Sequence, residues 1–114
     1  MKVHWTETAQ SHLAAIHKYI AQDSDYYALR MIDRLTRRSQ QIATFPNSGR
    51  KVPEYDMDNL REVIEGPYRV IYKIEAKQMN VIAVIHAARD LRAAIDENGE
   101  SEPGAPADQA PPDR

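Results

Sequence analysis

Cysteine is missing from all 114 residues, so neither a disulfide framework nor a thiolate metal site can be built, and a reducing compartment suits the chain. Glycine is scarce. Of four, two lie after Asn98, and the other two, Gly49 and Gly66, stand alone. There is accordingly no glycine-rich phosphate loop, and no nucleophile elbow. Long apolar runs are lacking as well: no stretch approaches the ~18 apolar residues of a membrane span, and the first residues hold no apolar signal region. A cytoplasmic protein without membrane contact is expected. Charge of one sign is not in large excess either. The net charge is −2, but residues 98–114 hold four acids and one base, leaving the first 97 residues at +1. A near-neutral domain gives no general argument for nucleic-acid binding, so any such contact must rest on local clusters. His4, His12 and His17 make no metal set, because His12 and His17 lie on different faces of a helix and no acid completes them. No metal and no cofactor are expected.

What is present reads as one small α+β domain over residues 1–97, followed by an acidic, proline-rich tail over 98–114. Four prolines, two glycines and no large apolar residue mark that tail as disordered. Lys2 to Thr6 reads as a first strand, which must join a larger sheet to be stable. Thr6 can cap a helix running to about Gln22, whose stripe is Ala9, Leu13, Ile16 and Ile20. Asp23-Ser24-Asp25 interrupts it. A second helix follows from about Asp25 to Thr44, with Ala28, Met31, Ile32, Leu35 and Ile42 on its apolar side. Arg30, Arg34, Arg37 and Gln41 line the opposite side, with Arg38 beside them; a solvated face is the default for such a strip, and contact with an acidic partner is the alternative. So short a connection predicts an antiparallel helix hairpin laid on a sheet. Phe45-Pro46 stops the second helix, and Arg50 to Asn59 shows no period, as in a surface loop.

Residues 60–86 predict a three-stranded antiparallel meander: Leu60–Glu65, Tyr68–Glu75 and Val81–His86, rich in β-branched and aromatic side chains. Alternation puts Tyr68, Val70, Tyr72 and Ile74 on one face, which should pack on the helices, and Arg69, Ile71, Lys73 and Glu75 on the other. If Glu75 faces Asn80, then Arg69 faces His86, and Val81, Ala83 and Ile85 join the helix side. An odd-numbered loop at Gly66-Pro67, favoured because proline restricts the residue before it, brings Arg61 to the Arg69 face as well. The expectation is therefore a half-uncovered face carrying Arg61, Arg69, Lys73 and His86, with Arg89 just beyond. The plainer reading pairs Arg61 and Arg69 with Glu62, Glu65 or Asp90. A short last helix is predicted over Ala88–Asp96.

The order of strand, helix hairpin and meander resembles the RelE/ParE superfamily, toxins of bacterial type II toxin–antitoxin pairs, over residues 2 to 92. The likeness is carried by A-x-x-x-L-x-x-I-x-x-Y-I from Ala9, F-P-x-S-G-R from Phe45, L-R-E-V-I-E-G-P-Y-R-V-I-Y from Leu60 and V-I-H-A-A-R-D from Val84. It implies a cognate antitoxin as partner, a role in plasmid stabilisation, and one of two activities. ParE-like members bind DNA gyrase and trap its cleaved DNA complex, with no catalytic residues of their own. RelE-like members cut messenger RNA on the ribosome, gripping phosphate with arginines and moving a proton at the attacking 2′-hydroxyl. Under that alternative Arg61 and Arg69 fall where the nuclease arginines sit, with His86 or Tyr72 in proton transfer. The chain departs from the nuclease pattern past the third strand, where a His-Tyr pair or another tyrosine or lysine is replaced by Ala88-Arg89. Its H-A-A-R-D ending looks more like the ParE branch. The resemblance thus implies a gyrase-directed toxin with Arg61, Arg69, Lys73, His86 and Arg89 as partner contacts.

Overall fold

Short polar side chains set the helix boundaries. Thr6 Oγ1 accepts the Ala9 N–H at 3.1 Å and starts α1 (Glu7–Ala21); Ser24 Oγ accepts the Tyr27 N–H at 3.2 Å and starts α2 (Asp25–Thr44). Each satisfies a backbone donor that the first turn leaves open. Phe45 and Pro46 end α2 and open a 3₁₀ turn over Pro46–Ser48. The computed structural model describes residues 1–94. The expected end of the last helix at Asp96 and the tail from Asn98 lie outside the described residues.

Five strands form one sheet: β1 (Lys2–Trp5), β2 (Arg50–Lys51), β3 (Leu60–Glu65), β4 (Tyr68–Ile74) and β5 (Gln78–His86). Their order is β1-β5-β4-β3-β2, with β1 parallel to β5 and the remaining pairs antiparallel. The last helix, α3 (Leu91–Ala94), starts three residues later than the expected Ala88, with Asp90 Oδ1 accepting the Arg92 N–H at its start. This is the expected α+β arrangement, with the hairpin of α1 and α2 packed on one face. Ala9, Ile16, Leu35 and Ile42 of the helices are buried against Val63, Tyr68, Val70, Tyr72, Met79, Val81 and Val84. Such a core, stripped of its apolar contacts with water, supplies the main driving force for the fold.

Asn80 faces Lys73 rather than Glu75, and Arg69 faces Ile85 rather than His86, because the β4–β5 connection is tighter than expected. Two further differences change the faces of side chains. The loop at Gly66-Pro67 has two residues, since Glu65 pairs with Tyr68. Gly66 adopts φ +59°, as the first position of a primed hairpin turn requires, and the second position of the II′ form accepts a proline ring. The restriction that proline imposes on the preceding residue comes largely from that residue's side chain, and Gly66 has none. The second difference is a bulge. Tyr72 pairs with Val81 but Ile71 pairs with Ala83, so Ile82 is an extra residue. Beyond it every side chain of β5 is inverted: Ala83 and Ile85 leave the helix side, and Val84 and His86 join it.

The second face is more covered than the half-dressed surface expected. Val52, Leu60, Ile71, Ala83, Ile85, Leu91 and Ala94 form a smaller buried cluster there. The cover comes from the segment after β2, expected as a surface loop, whose Val52 is fully buried and donates its N–H to Leu60 O at 3.1 Å. Too few residues alternate there for a period to be visible.

Candidate functional site

The four side chains expected on one face are divided by these two changes. Arg61 pairs with Tyr72 and His86 with Tyr68, so both belong to the helix side of the sheet; Arg69 and Lys73 belong to the other. The expected convergence of Arg61, Arg69 and His86 does not occur, because an even loop and a bulge each reverse the alternation.

Arg69 is 4% exposed and lies at the centre of a buried ion network. Its Nη1 and Nη2 each donate to Glu54 at 2.8 Å; Nε donates to Glu62 Oε1 at 2.7 Å and Nη2 lies 2.6 Å from the same oxygen. Nη1 also donates to Arg89 O at 2.6 Å. A guanidinium has five N–H donors; four of them are hydrogen-bonded here, with every nitrogen engaged, and Nη2 makes a further ion contact with Glu62. Glu62 takes Arg50 on its other oxygen at 2.6 Å. Glu54 also accepts the Leu91 N–H at 2.7 Å, so the same carboxylate ties α3 to the sheet. The Arg69 hydrogen bonds hold the Glu54 carboxyl down at about 2, against the opposing effect of burial. Of the plain pairings open to Arg69, Glu62 is the one formed. Glu54 was not foreseeable, since V-P-E-Y has no period to place it.

Arg61 donates only to carbonyls: Asp58 O at 2.9 Å, Gly49 O at 2.9 Å and Asn47 O at 3.4 Å. It braces the turn before β2. Tyr72 holds the same turn from inside, fully buried, donating to Pro46 O at 2.6 Å and accepting the Gly49 N–H at 3.1 Å. Burial pushes its phenol pKa up, which does not favour the proton transfer that the nuclease alternative asks of it. Gly49 has no room for a side chain, because a Cβ would meet Tyr72 Oη and lie 2.6 Å from Glu62 O. Tyr72→Phe should cost about 1–3 kcal/mol, as a buried donor and acceptor lose their partner; a urea midpoint unchanged from the parent would contradict this role.

His86 Nδ1 accepts the Ala88 N–H at 3.1 Å at the strand end. Lys73 is 44% exposed and only loosely paired with Glu75 at 3.8 Å. It rims an apolar pocket of about 380 Å³ with Tyr55, Met57, Leu60, Ile82 and Leu91. Arg89 reaches Ala93 O at 3.2 Å, while its Nη1 is buried without a hydrogen-bond partner. One functional-looking residue was missed by sequence reasoning. His12, 1% exposed, accepts the Val84 N–H on Nδ1 at 3.1 Å, completing the edge of β5 where β1 ends. Burial, and then the charge of Arg89, lower its pKa to about 4.

On the exposed side of α2 the arginine strip is largely neutralised. Arg34 and Arg38 pair with Glu65 at 2.8 and 3.8 Å, and Arg37 pairs with Asp33 at 3.0 Å. Among the described residues no helix is long and apolar enough to cross a membrane.

A helix hairpin on a meander, edged by a parallel first strand, is the build of a toxin of the type II toxin–antitoxin class, in the RelE/ParE superfamily. Residues 3–91 match the family of the ParE toxin of the type II toxin–antitoxin system parDE, and the chain belongs to that family. It is 35% identical over 89 residues to Toxin RelE2 of Caulobacter vibrioides (strain ATCC 19089 / CIP 103742 / CB 15), covering 77% of this chain and 97% of that protein. A solved structure titled Chromosomal ParDE TA system from P. aeruginosa has the same fold, with a TM-score of 0.64 at 19% identity. The match spans 75% of this chain and 95% of that one. Toxins of this class pair with an antitoxin protein.

Proposed function

We propose that this chain is a cytoplasmic, ParE-like toxin that acts by binding DNA gyrase rather than by chemistry of its own, and that a cognate antitoxin neutralises it. The observation that carries this reading is the state of Arg69. A nuclease needs that guanidinium free to grip phosphate, and here each of its three nitrogens is already hydrogen-bonded, to Glu54, Glu62 and Arg89 O. Arg61 and His86 lie on the side of the sheet opposite Arg69 and Tyr72 is buried, so the groups that a nuclease would bring to one phosphate do not converge. We assign antitoxin contacts to Lys73 with its apolar pocket, and to His86, Arg89 and Arg61 where they reach the surface. Arg69 contributes from beneath, by fixing Glu54 and the Arg89 backbone.

Induction of the toxin without its antitoxin tests this. Cleaved gyrase–DNA complexes should accumulate and purified toxin should inhibit supercoiling by gyrase in vitro. Immediate arrest of translation with messages cut in translated regions would instead favour the ribosome-dependent endoribonuclease reading and overturn the proposal.

A further inference from the structure

Three large apolar side chains stand in the open at the start of α2. Tyr26, Tyr27 and Leu29 are 62%, 64% and 62% exposed. The two rings meet edge to face at 5.3 Å, and the Arg30 guanidinium lies 5.6 Å from the Tyr26 centroid while donating to its Oη at 3.1 Å. Beside them runs a groove of about 490 Å³ lined by Ile20, Tyr26, Tyr27, Arg30, Met31 and Arg34. At one end of it the Met31 and Arg34 side chains lie against the β3–β4 turn at Gly66.

We propose that this groove seats a segment of the antitoxin presenting a bulky apolar side chain next to an aspartate or glutamate. The proposal rests on the antitoxin pairing of this toxin class, and names the chemistry of one contact within it. Charge decides the occupant. Arg34, Arg37 and Arg38 each have a carboxylate within 4 Å, whereas Arg30 has no ion-pair partner among the described residues. A guanidinium without an ion-pair partner beside an apolar groove is complementary to one carboxylate flanked by apolar surface. It is a poor match for a polyanion, whose binding grows with the number of phosphates neutralised. Base stacking is disfavoured too, because Arg30 already lies over the Tyr26 ring and Tyr27 presses on Tyr26. Tyrosine and arginine around the groove are also the residue types that dominate binding energy at protein interfaces.

Titration calorimetry of the full chain with its purified antitoxin provides the test. Arg30→Glu and Tyr27→Ala should each weaken binding by about 30-fold or more, the loss expected of an interface anchor. Arg37→Glu, on the same helix but outside the groove, should stay within about threefold of the parent. Should Tyr27→Ala lower the urea midpoint, Arg30→Glu, whose side chain is exposed, carries the test by itself. Antitoxin affinity unchanged in Arg30→Glu would overturn the proposal, as would a loss confined to binding of duplex DNA or RNA. If the parent chain itself fails to bind the antitoxin, the pairing reading falls, and that result is distinct from a failure of the groove.

Discussion

Replacing Arg69 with alanine is expected to remove about 3–5 kcal/mol of stability, the range for taking one partner out of a buried ion network. The substitution leaves Glu54 without its main partner, deprives Glu62 of one of two guanidiniums, and releases the Arg89 carbonyl. Glu62 has a side chain that is 0% exposed, so water cannot replace what is lost. The hold on α3 also weakens, since Glu54 carries the Leu91 N–H. Chemical denaturation followed by circular dichroism measures the change directly; a loss below about 1 kcal/mol would show that the network behaves as a surface pair. Arg61→Ala provides the contrast, because that side chain is partly exposed and bonds only to carbonyls, for which about 1 kcal/mol is expected. A consequence follows for function. Loss of toxicity in an Arg69 variant would report unfolding, not loss of a phosphate grip, unless the variant is first shown to be folded.

Acid should destabilise the chain in two steps, and the first begins unusually high. His12 has an ordinary pKa of 6.5 when unfolded and about 4 when folded. The unfolded chain therefore binds the proton more tightly, and stability falls as pH drops from 6.5 towards 4. At about 1.4 kcal/mol per tenfold change in proton affinity, the full loss is ~3 kcal/mol, of which ~2 kcal/mol appears between pH 7 and pH 5. Protonation also removes the Nδ1 acceptor from the Val84 N–H and places a second positive charge near Arg89. The Glu54 carboxyl, lowered from 4.5 to about 2, gives the second step: its contribution is full above pH 4.5 and disappears as pH falls towards 2. Urea titrations at pH 7, 6 and 5 on the parent and on His12→Gln separate the two. A parent whose stability is flat over that range would show that the first step does not exist, and a His12→Gln variant that keeps the full slope would show that another group controls it.

Local signals were readable wherever the responsible residues are neighbours in the chain. Thr6, Ser24 and Phe45-Pro46 mark the helix ends, and α2 spans the expected Asp25–Thr44. Alternation placed β3 at Leu60–Glu65, and Tyr68, Val70 and Tyr72 on the helix side. The strand β2 was not readable, because two residues cannot show a period. Neither was the full length of β5, which begins at Gln78 where β1 pairs with it in parallel, a contact that no local pattern encodes.

Sequence alone determined the two long helices, strands β1, β3 and β4, their order and the family, because helix stripes, caps and strand alternation are written within a few residues of where they act. Tertiary structure decided which side of the sheet each charged residue occupies. One two-residue turn and one extra residue at Ile82 separated Arg61 and His86 from Arg69, and Glu54, arriving from a stretch with no period, converted Arg69 from a surface candidate into the centre of a buried network. With a side-chain period of two, a single residue of register reverses a face, and that register is set by contacts distant in the chain.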